Sequence, residues 1–220
     1  MKKLYLLLPV LLCTWAAAAQ KTRVKIVTPY GKMVIALSDE TPVYRDNFVR
    51  LVKKHFYNGL LFHRVISGFI IQGGDPESRH ARPGQRLGGG DLGYSLPADF
   101  HDNLFHRKGA LAAARQPDAV NPQKASSPCQ FYLVEGKTYD DATLDLIEKK
   151  TGHAFSPAQR QVYKTVGGAP FLDGGYTVFG QLTEGMEVLD KIASAPTDAR
   201  NRPTRNIPMK IKLLHHFLFF

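Results

Sequence analysis

Cysteine is scarce: the 220-residue chain has two, Cys13 and Cys129. Two thiols cannot staple a small scaffold, and Cys13 sits inside an opening apolar run. If that run is removed, Cys129 is the single thiol, a small hydrophobe rather than a nucleophile. Long apolar runs are also few. The N-terminal one, Leu4 to Trp15, is too short to cross a bilayer comfortably, and a multi-span membrane protein is excluded. Acidic residues are in deficit, 19 against 29 Lys and Arg, for a formal charge of +10. The basic residues are nevertheless spread out, with no run of five, which argues against a nucleic-acid face. The eight histidines include no HExxH pair, so no metal site is expected. There is no GK[ST] phosphate loop and no G-x-S-x-G nucleophile turn. Gly88 to Gly93 (GGGDLG) matches G-x-G-x-x-G formally. Tyr94-Ser95-Leu96-Pro97 follows it and cannot open a helix cleanly, so the stretch reads as a flexible glycine loop. No cofactor is expected.

The full 220-residue chain is 44% hydrophobic, 22% charged and 10% aromatic, which is ordinary for one globular domain. Lys2 and Lys3, the apolar Leu4 to Trp15 and the small Ala16 to Ala19 form the three-part pattern of a secretory signal. Residues 1–19 are therefore expected to direct export, most simply to a periplasm, and residues 20–220 to form the domain. A lipid anchor on Cys13 is disfavoured, because Leu12 stands where a small residue belongs.

Period-two alternation predicts strands at Thr22 to Thr28 and Lys32 to Leu37, around a turn at Pro29 to Gly31. Thr41-Pro42 reads as a helix start with Thr41 as cap, and Phe48, Leu51, Val52 and His55 follow at helical spacing. Leu60 to Gln72 reads as two short strands around Ser67-Gly68, and Gly73 to Gly109 as a long surface loop. Ala110 to Ala114, Gln130 to Val134, Thr177 to Leu182 and Pro208 to Leu214 read as strands, and Met186 to Ile192 as a short helix. Within residues 135–170, Leu144, Ile147 and Glu148 followed by Pro157 to Val166 read as two helices around Gly152. Strands outnumber helices without β-α-β alternation, which fits a closed or sandwiched antiparallel sheet. The C-terminal His215 to Phe220 (HHFLFF) is an apolar tail with no functional reading.

One segment stands apart. Phe62 to Asp75, FHRVISGFIIQGGD, sets an arginine inside an apolar, strand-like run. A buried arginine is costly unless it is paired with a carboxylate or working. Asn47-Phe48 with Tyr57-Asn58-Gly59, then FHRVISGFIIQGGD, GYSLPADF from Gly93, HRKGALAAAR from His106, QFYLV from Gln130 and FLDGGYTVFG from Phe171 occur in order. In these strings the chain resembles the cyclophilin-type peptidyl-prolyl isomerases over most of its length. The resemblance implies a mainly β fold, a closed eight-stranded antiparallel β-barrel capped by two α-helices, with 135–170 as an extra helical insertion. It implies catalysis by Arg64 with Gln72, and a substrate groove of Phe69, Ile70, Ala114, Arg115, Gln130, Tyr132, Phe171, Leu172 and Tyr176. Within that groove Phe69 is the floor of the proline pocket, Leu172 its wall, and Ala114-Arg115 the backbone that pairs with substrate.

Three positions depart from the well-studied eukaryotic pattern: Tyr132 for Phe, Phe171 for Trp and Tyr176 for His. All stay aromatic, so the apolar groove is expected to persist, with altered preference before proline and weaker binding of cyclosporin-type inhibitors. The insertion precedes a groove residue and is expected beside the active face, as a substrate contact or as a decorative hairpin. The implied partners are proline-containing peptides and unfolded exported proteins, with no nucleic acid and no metal, and the chain is expected to act as a monomer. A catalytically weak peptide-binding module or holdase of the cell envelope is the alternative.

Overall fold

The structure, a computed structural model, describes residues 22–214. The expected signal at 1–19, with Cys13, and the apolar tail from His215 lie outside the described residues. Alternation makes the first hairpin: in β1 (Arg23–Thr28) Val24 and Ile26 are fully buried between half-buried neighbours, and β1 pairs with β2 (Gly31–Leu37). The remaining strands are β3 (Phe62–Ile66), β4 (Ile70–Gly73), β5 (Ala110–Ala113), β6 (Phe131–Val134), β7 (Val178–Glu184) and β8 (Lys210–Leu214). All pair antiparallel in one sheet of order β3-β4-β6-β5-β7-β2-β1-β8.

The sheet curls until its two ends meet. They join just before β3 and β8, at a bridge between Leu61 and Pro208. Phe62 N–H donates to Ile207 O (3.0 Å) and Met209 N–H to Leu60 O (2.8 Å) beside it. The eight-stranded antiparallel barrel is thus closed by a short seam rather than by a full ladder.

Two helices cap the barrel from the inside of the curl. α1 (Pro42–Lys53) buries Tyr44, Phe48, Leu51 and Val52, and α4 (Met186–Ala193) buries Val188, Leu189 and Ile192, all in one core. Phe48 and Phe131 meet edge to face at 5.6 Å across the helix–sheet boundary. Two details of α1 differ from the sequence reading. Thr41 makes no side-chain cap, and its buried hydroxyl has no partner; its carbonyl instead accepts from Tyr44 and Arg45 N–H. The helix ends at Lys53, so His55 leaves the helical row, with a φ of 57°.

In β5, Leu111 and Ala113 face this inner core while Ala110 and Ala112 face outward. The outward alanines join Ile70, Tyr132, Val134, Ala169 and Val178 in a second cluster on the outer face, so this part of the sheet is buried on both sides. The insertion forms a third cluster. α2 (Asp141–Thr151) is capped by Asp140 and stops at Gly152 in the left-handed region; α3 (Pro157–Thr165) starts with a Ser156/Gln159 capping box. Leu144, Phe155 and Tyr163 close a small core with Phe105, Tyr139 and Ile147.

Candidate active site

The tight turn at Ser67-Gly68 fixes the β3–β4 register, which sets Arg64 opposite Gln72 on the outer face. Gln72 in turn lies opposite Tyr132 on β6. Their side chains form a chain of hydrogen bonds. Arg64 Nη1 donates to Gln72 Oε1 (3.2 Å), Gln72 Nε2 donates to Gln130 Oε1 (3.3 Å), and Gln130 Nε2 donates to the carbonyls of Gly88 (3.1 Å) and Gly90 (2.8 Å). Each link fixes the next amide's orientation. The Gly88 and Gly90 carbonyls can only accept, so Gln130 must present its oxygen to Gln72, and Gln72 its oxygen to Arg64. Arg64 is half-buried and meets no carboxylate among the described residues, so its other donors remain unspent. The strand-edge arginine that meets a carboxylate is thereby excluded.

The glycine loop that holds this chain is itself held by Asp75. Asp75 is fully buried, and its carboxylate accepts from Glu77 N–H (2.8 Å) and from Gly88 N–H. At Gly90 a Cβ would lie 2.2 Å from Asp75 Oδ1, so the loop can pass only as glycine. The GGGDLG stretch is therefore a close backbone approach to a buried carboxylate.

Beside Arg64 lies an apolar wall. Phe69, Ala114, Leu172 and Tyr176 pack, partly buried, against Ile70 and Tyr132. Phe171 packs on Phe69 in a tilted pair with ring centroids 5.3 Å apart and is 43% exposed. Ile70 and Tyr132, each 3% exposed, lie beneath the groove rather than on its surface. The Arg115 side chain is spent on the wall: it pairs with Asp118 (2.6 Å), donates to Gly175 O (2.7 Å) and lies 4.4 Å over the Tyr176 ring. The main chain of this segment divides its roles. Ala114 N–H donates to Gln130 O and its carbonyl accepts from Ser127 N–H, whereas the N–H and C=O of Arg115 have no partner among the described residues.

Beneath the wall runs a buried polar chain. The Tyr132 hydroxyl meets His106 Nε2 (2.9 Å), His106 Nδ1 meets Asp173 Oδ1 (2.7 Å), and Tyr163 of α3 donates to Asp173 Oδ2. Asp173 Oδ1 also accepts His106 backbone N–H (2.8 Å). The carboxylate requires a proton on Nδ1, so a neutral His106 accepts from Tyr132 through Nε2. Burial raises the pKa of both phenols, so both hydroxyls stay protonated. The insertion is thus tied by one tyrosine to the underside of the groove, next to Leu172. Gly168, where the insertion returns, has room for no Cβ: one would sit 2.2 Å from His106 O.

Sequence reasoning missed His106, Asp173, Tyr163 and Asp75 as site-building residues. His106 and Asp173 stand inside quoted motifs, where a charged residue in an apolar string is a usable signal. Nothing in the sequence pointed to Tyr163. Cys129 is buried, and burial pushes its thiol up to about 11, so it stays a thiol. Among the described residues no helix is long and apolar enough to cross a membrane, and no group of His, Cys, Asp or Glu has the arrangement to hold a metal ion.

Residues 23–213 match the family model for cyclophilin type peptidyl-prolyl cis-trans isomerase/CLD. The chain is 32% identical over 186 residues to a Staphylococcus haemolyticus protein named as a peptidyl-prolyl cis-trans isomerase, covering 84% of this chain and 87% of that one. It is 34% identical over 189 residues to a bifunctional phosphatase/peptidyl-prolyl cis-trans isomerase of Streptococcus pyogenes, and spans 37% of that protein's length. Among solved structures, a cyclophilin type peptidyl-prolyl cis-trans isomerase of Cryptosporidium parvum superposes with a TM-score of 0.65 at 24% identity, over 90% of this chain and 99% of that one. This last likeness is one of fold.

Proposed function

The chain belongs to the cyclophilin-type peptidyl-prolyl cis-trans isomerase family, and from that premise we propose how its groove works and on which chains. It is an isomerase of the peptide bond before proline. That bond is a tertiary amide whose rotation is opposed by a barrier of ~20 kcal/mol, the resonance lost on twisting. In the twisted state the proline nitrogen regains its lone pair and becomes an acceptor. Arg64 donates to that nitrogen, so the donor binds the twisted state better than the planar one, and this difference is the catalysis.

Gln72, Gln130 and the Gly88–Gly90 carbonyls aim the guanidinium so that little reorganisation is needed at the moment of twisting. Phe69, Leu172 and Phe171 take the proline ring, with Tyr132 and Ile70 supporting from below. The free N–H and C=O of Arg115 pair with the substrate main chain, so the ring is anchored while the preceding carbonyl swings. A structure of the Cryptosporidium parvum protein was obtained in the presence of the dipeptide Ala-Pro; a proline-containing peptide is the corresponding ligand for this groove.

The observation that carries this reading is Arg64 itself: half-buried, without a carboxylate, held by an amide relay at the edge of an apolar pocket. The test is a protease-free isomerisation assay on a short X-Pro peptide. Arg64→Ala is expected to lose about 100-fold in kcat/KM. Arg64→Lys should recover little of it, because a single flexible point charge replaces a planar fork. Unchanged activity in Arg64→Ala would remove the reading; a parent that binds such peptides without turning them over would leave a peptide-binding module.

The clients follow from residues 1–19: we place the protein outside the cytoplasm, in the periplasm, as a monomer that speeds folding of exported chains. Recovery of a periplasmic form with Gln20 at its N-terminus, monomeric by light scattering, is the expected result; an uncleaved cytoplasmic chain overturns it.

A further inference from the structure

The groove continues past Arg64. Beyond the Gln72 relay it opens into a cleft of about 970 Å3, within the size range of ligand sites. Cations dominate its lining. Arg64, Arg86 and Arg200 reach it with no carboxylate partner among the described residues. Arg202, largely buried, is held by the carbonyls of Arg82 (3.0 Å) and Gln85 (2.6 Å) and by Asn206 Oδ1 (3.2 Å), which fix its position without neutralising it. The acids present offset this only in part: Glu77 is exposed, and Asp198 spends its carboxylate on the backbone N–H groups of Arg200 (2.8 Å) and Arg202 (3.0 Å).

A second feature marks the wall of the cleft. His63 lines the cleft and is 4% exposed, yet neither of its ring nitrogens has a partner. Burial pushes its pKa down to about 4, so near neutral pH it is an uncharged imidazole with one unspent N–H and one unspent lone pair. Buried polar groups are ordinarily satisfied, and His63 is an exception at the border of the cleft, its ring nitrogens enclosed beside Gly88.

We propose that this cleft is an acidic subsite of the isomerase, taking an Asp or Glu side chain of the substrate close in sequence to the isomerised X-Pro bond. The inference rests on the isomerase reading, because Gln72 and Arg115 border both the cleft and the catalytic groove, so a chain lying along the groove runs into it. A carboxylate fits the lining: it accepts from guanidinium forks, and the neutral His63 beneath adds no competing charge. An exposed cationic rim changes affinity modestly and in a salt-dependent way.

The test uses three otherwise identical X-Pro peptides carrying Glu, Gln or Lys at each flanking position in turn. Turnover and calorimetric binding are measured at low and high salt. The parent should favour Glu over Gln by about two- to fivefold at one or more positions, with Lys the poorest, and the preference should shrink at high salt. The double variant Arg86→Gln, Arg200→Gln should lose the preference and keep the parent rate on the Gln peptide. Equal handling of Glu and Gln by the parent, or a preference that survives the double variant, overturns the proposal. Loss of turnover on all three peptides would strike the isomerase reading instead, and the binding titrations would still judge the subsite.

Discussion

Two segments of similar length flank the groove, and they are built on opposite principles. Residues 74–109, between β4 and β5, have almost no regular structure beyond a 3₁₀ turn at Pro76–His80. They are held by side chains that reach backbone: Asp75 to Gly88 N–H, Gln130 to Gly88 and Gly90, Arg202 to Arg82 and Gln85, and Tyr44 Oη to Pro97 O at 2.7 Å. Residues 135–169 instead carry two capped helices and an apolar cluster of their own, and are tied to the underside of the groove through Tyr163. The first segment's order thus depends on a few polar atoms, each of which matters. The second spreads its order over packing and caps, so most single changes should be absorbed. The groove combines both: the amide relay to Arg64 hangs on the polar segment, and the apolar wall rests on the helical one.

The sharpest way to break this contrast is Asp75→Ala. It removes the acceptor for two backbone donors and leaves them in a buried site, at a cost of about 3 to 4 kcal/mol. Urea unfolding should show that loss. Isomerase activity should fall more than stability alone explains, because the loop that orients Gln130 is released. If the stability change stays below about 1 kcal/mol, the polar segment is not held as described.

pH gives the next largest effect. His63, packed near Gly88, is kept neutral by burial, with a pKa of about 4 against 6.5 for an unperturbed imidazole. The unfolded chain therefore takes the proton first as pH falls. Stability from this group is complete above pH 6.5 and drains away as pH drops toward 4, on the order of 3 kcal/mol in all. Unfolding midpoints between pH 7 and 4.5 should show the decline, and His63→Leu should flatten it. A parent curve as flat as the variant's would show that the imidazole is not buried neutral.

The smallest effect is expected on the helical side. Tyr163→Phe removes one donor from Asp173 and should cost about 2 kcal/mol, leaving the insertion folded. KM for an X-Pro peptide should rise with little change in kcat, since Leu172 and Tyr132 are supported through this link rather than engaged in the chemistry. A protein that loses the insertion's helical circular dichroism along with the hydroxyl would show that one tie, not distributed packing, orders the segment.

The same contrast governs what could be read from the sequence. The β1–β2 hairpin was legible in the alternation of Val24, Ile26, Met33 and Ile35. The insertion helices were legible in Leu144, Ile147 and Glu148, the break at Gly152 and the run from Pro157, because those signals are local. Arg64 stood out as a charge in an apolar run. The polar ties were not legible. No period links Gln130 to the carbonyls of Gly88 and Gly90, or Tyr163 to Asp173, since such bonds depend on how distant strands and loops meet. Thr41 shows the limit from the other side. Its residue type favours a cap, but its backbone angles, φ −118° and ψ 63°, leave the hydroxyl buried and unpartnered.

The seam where β3 and β8 meet has a further consequence. The backbone bonds of the seam are made by Ile207 and Met209 against Gly59, Leu60 and Phe62, and Pro208 sits between them with its backbone turned away from Leu61. Past it, exposed Lys210 and Lys212 alternate with buried Ile211 along β8, and on the other side Val65 N–H is already taken by Asn201 O at 2.8 Å. A strand arriving from another molecule therefore finds two charges and an occupied donor where it would need a template. The open edges of the isomerase's sheet are thereby guarded against pairing with a further strand.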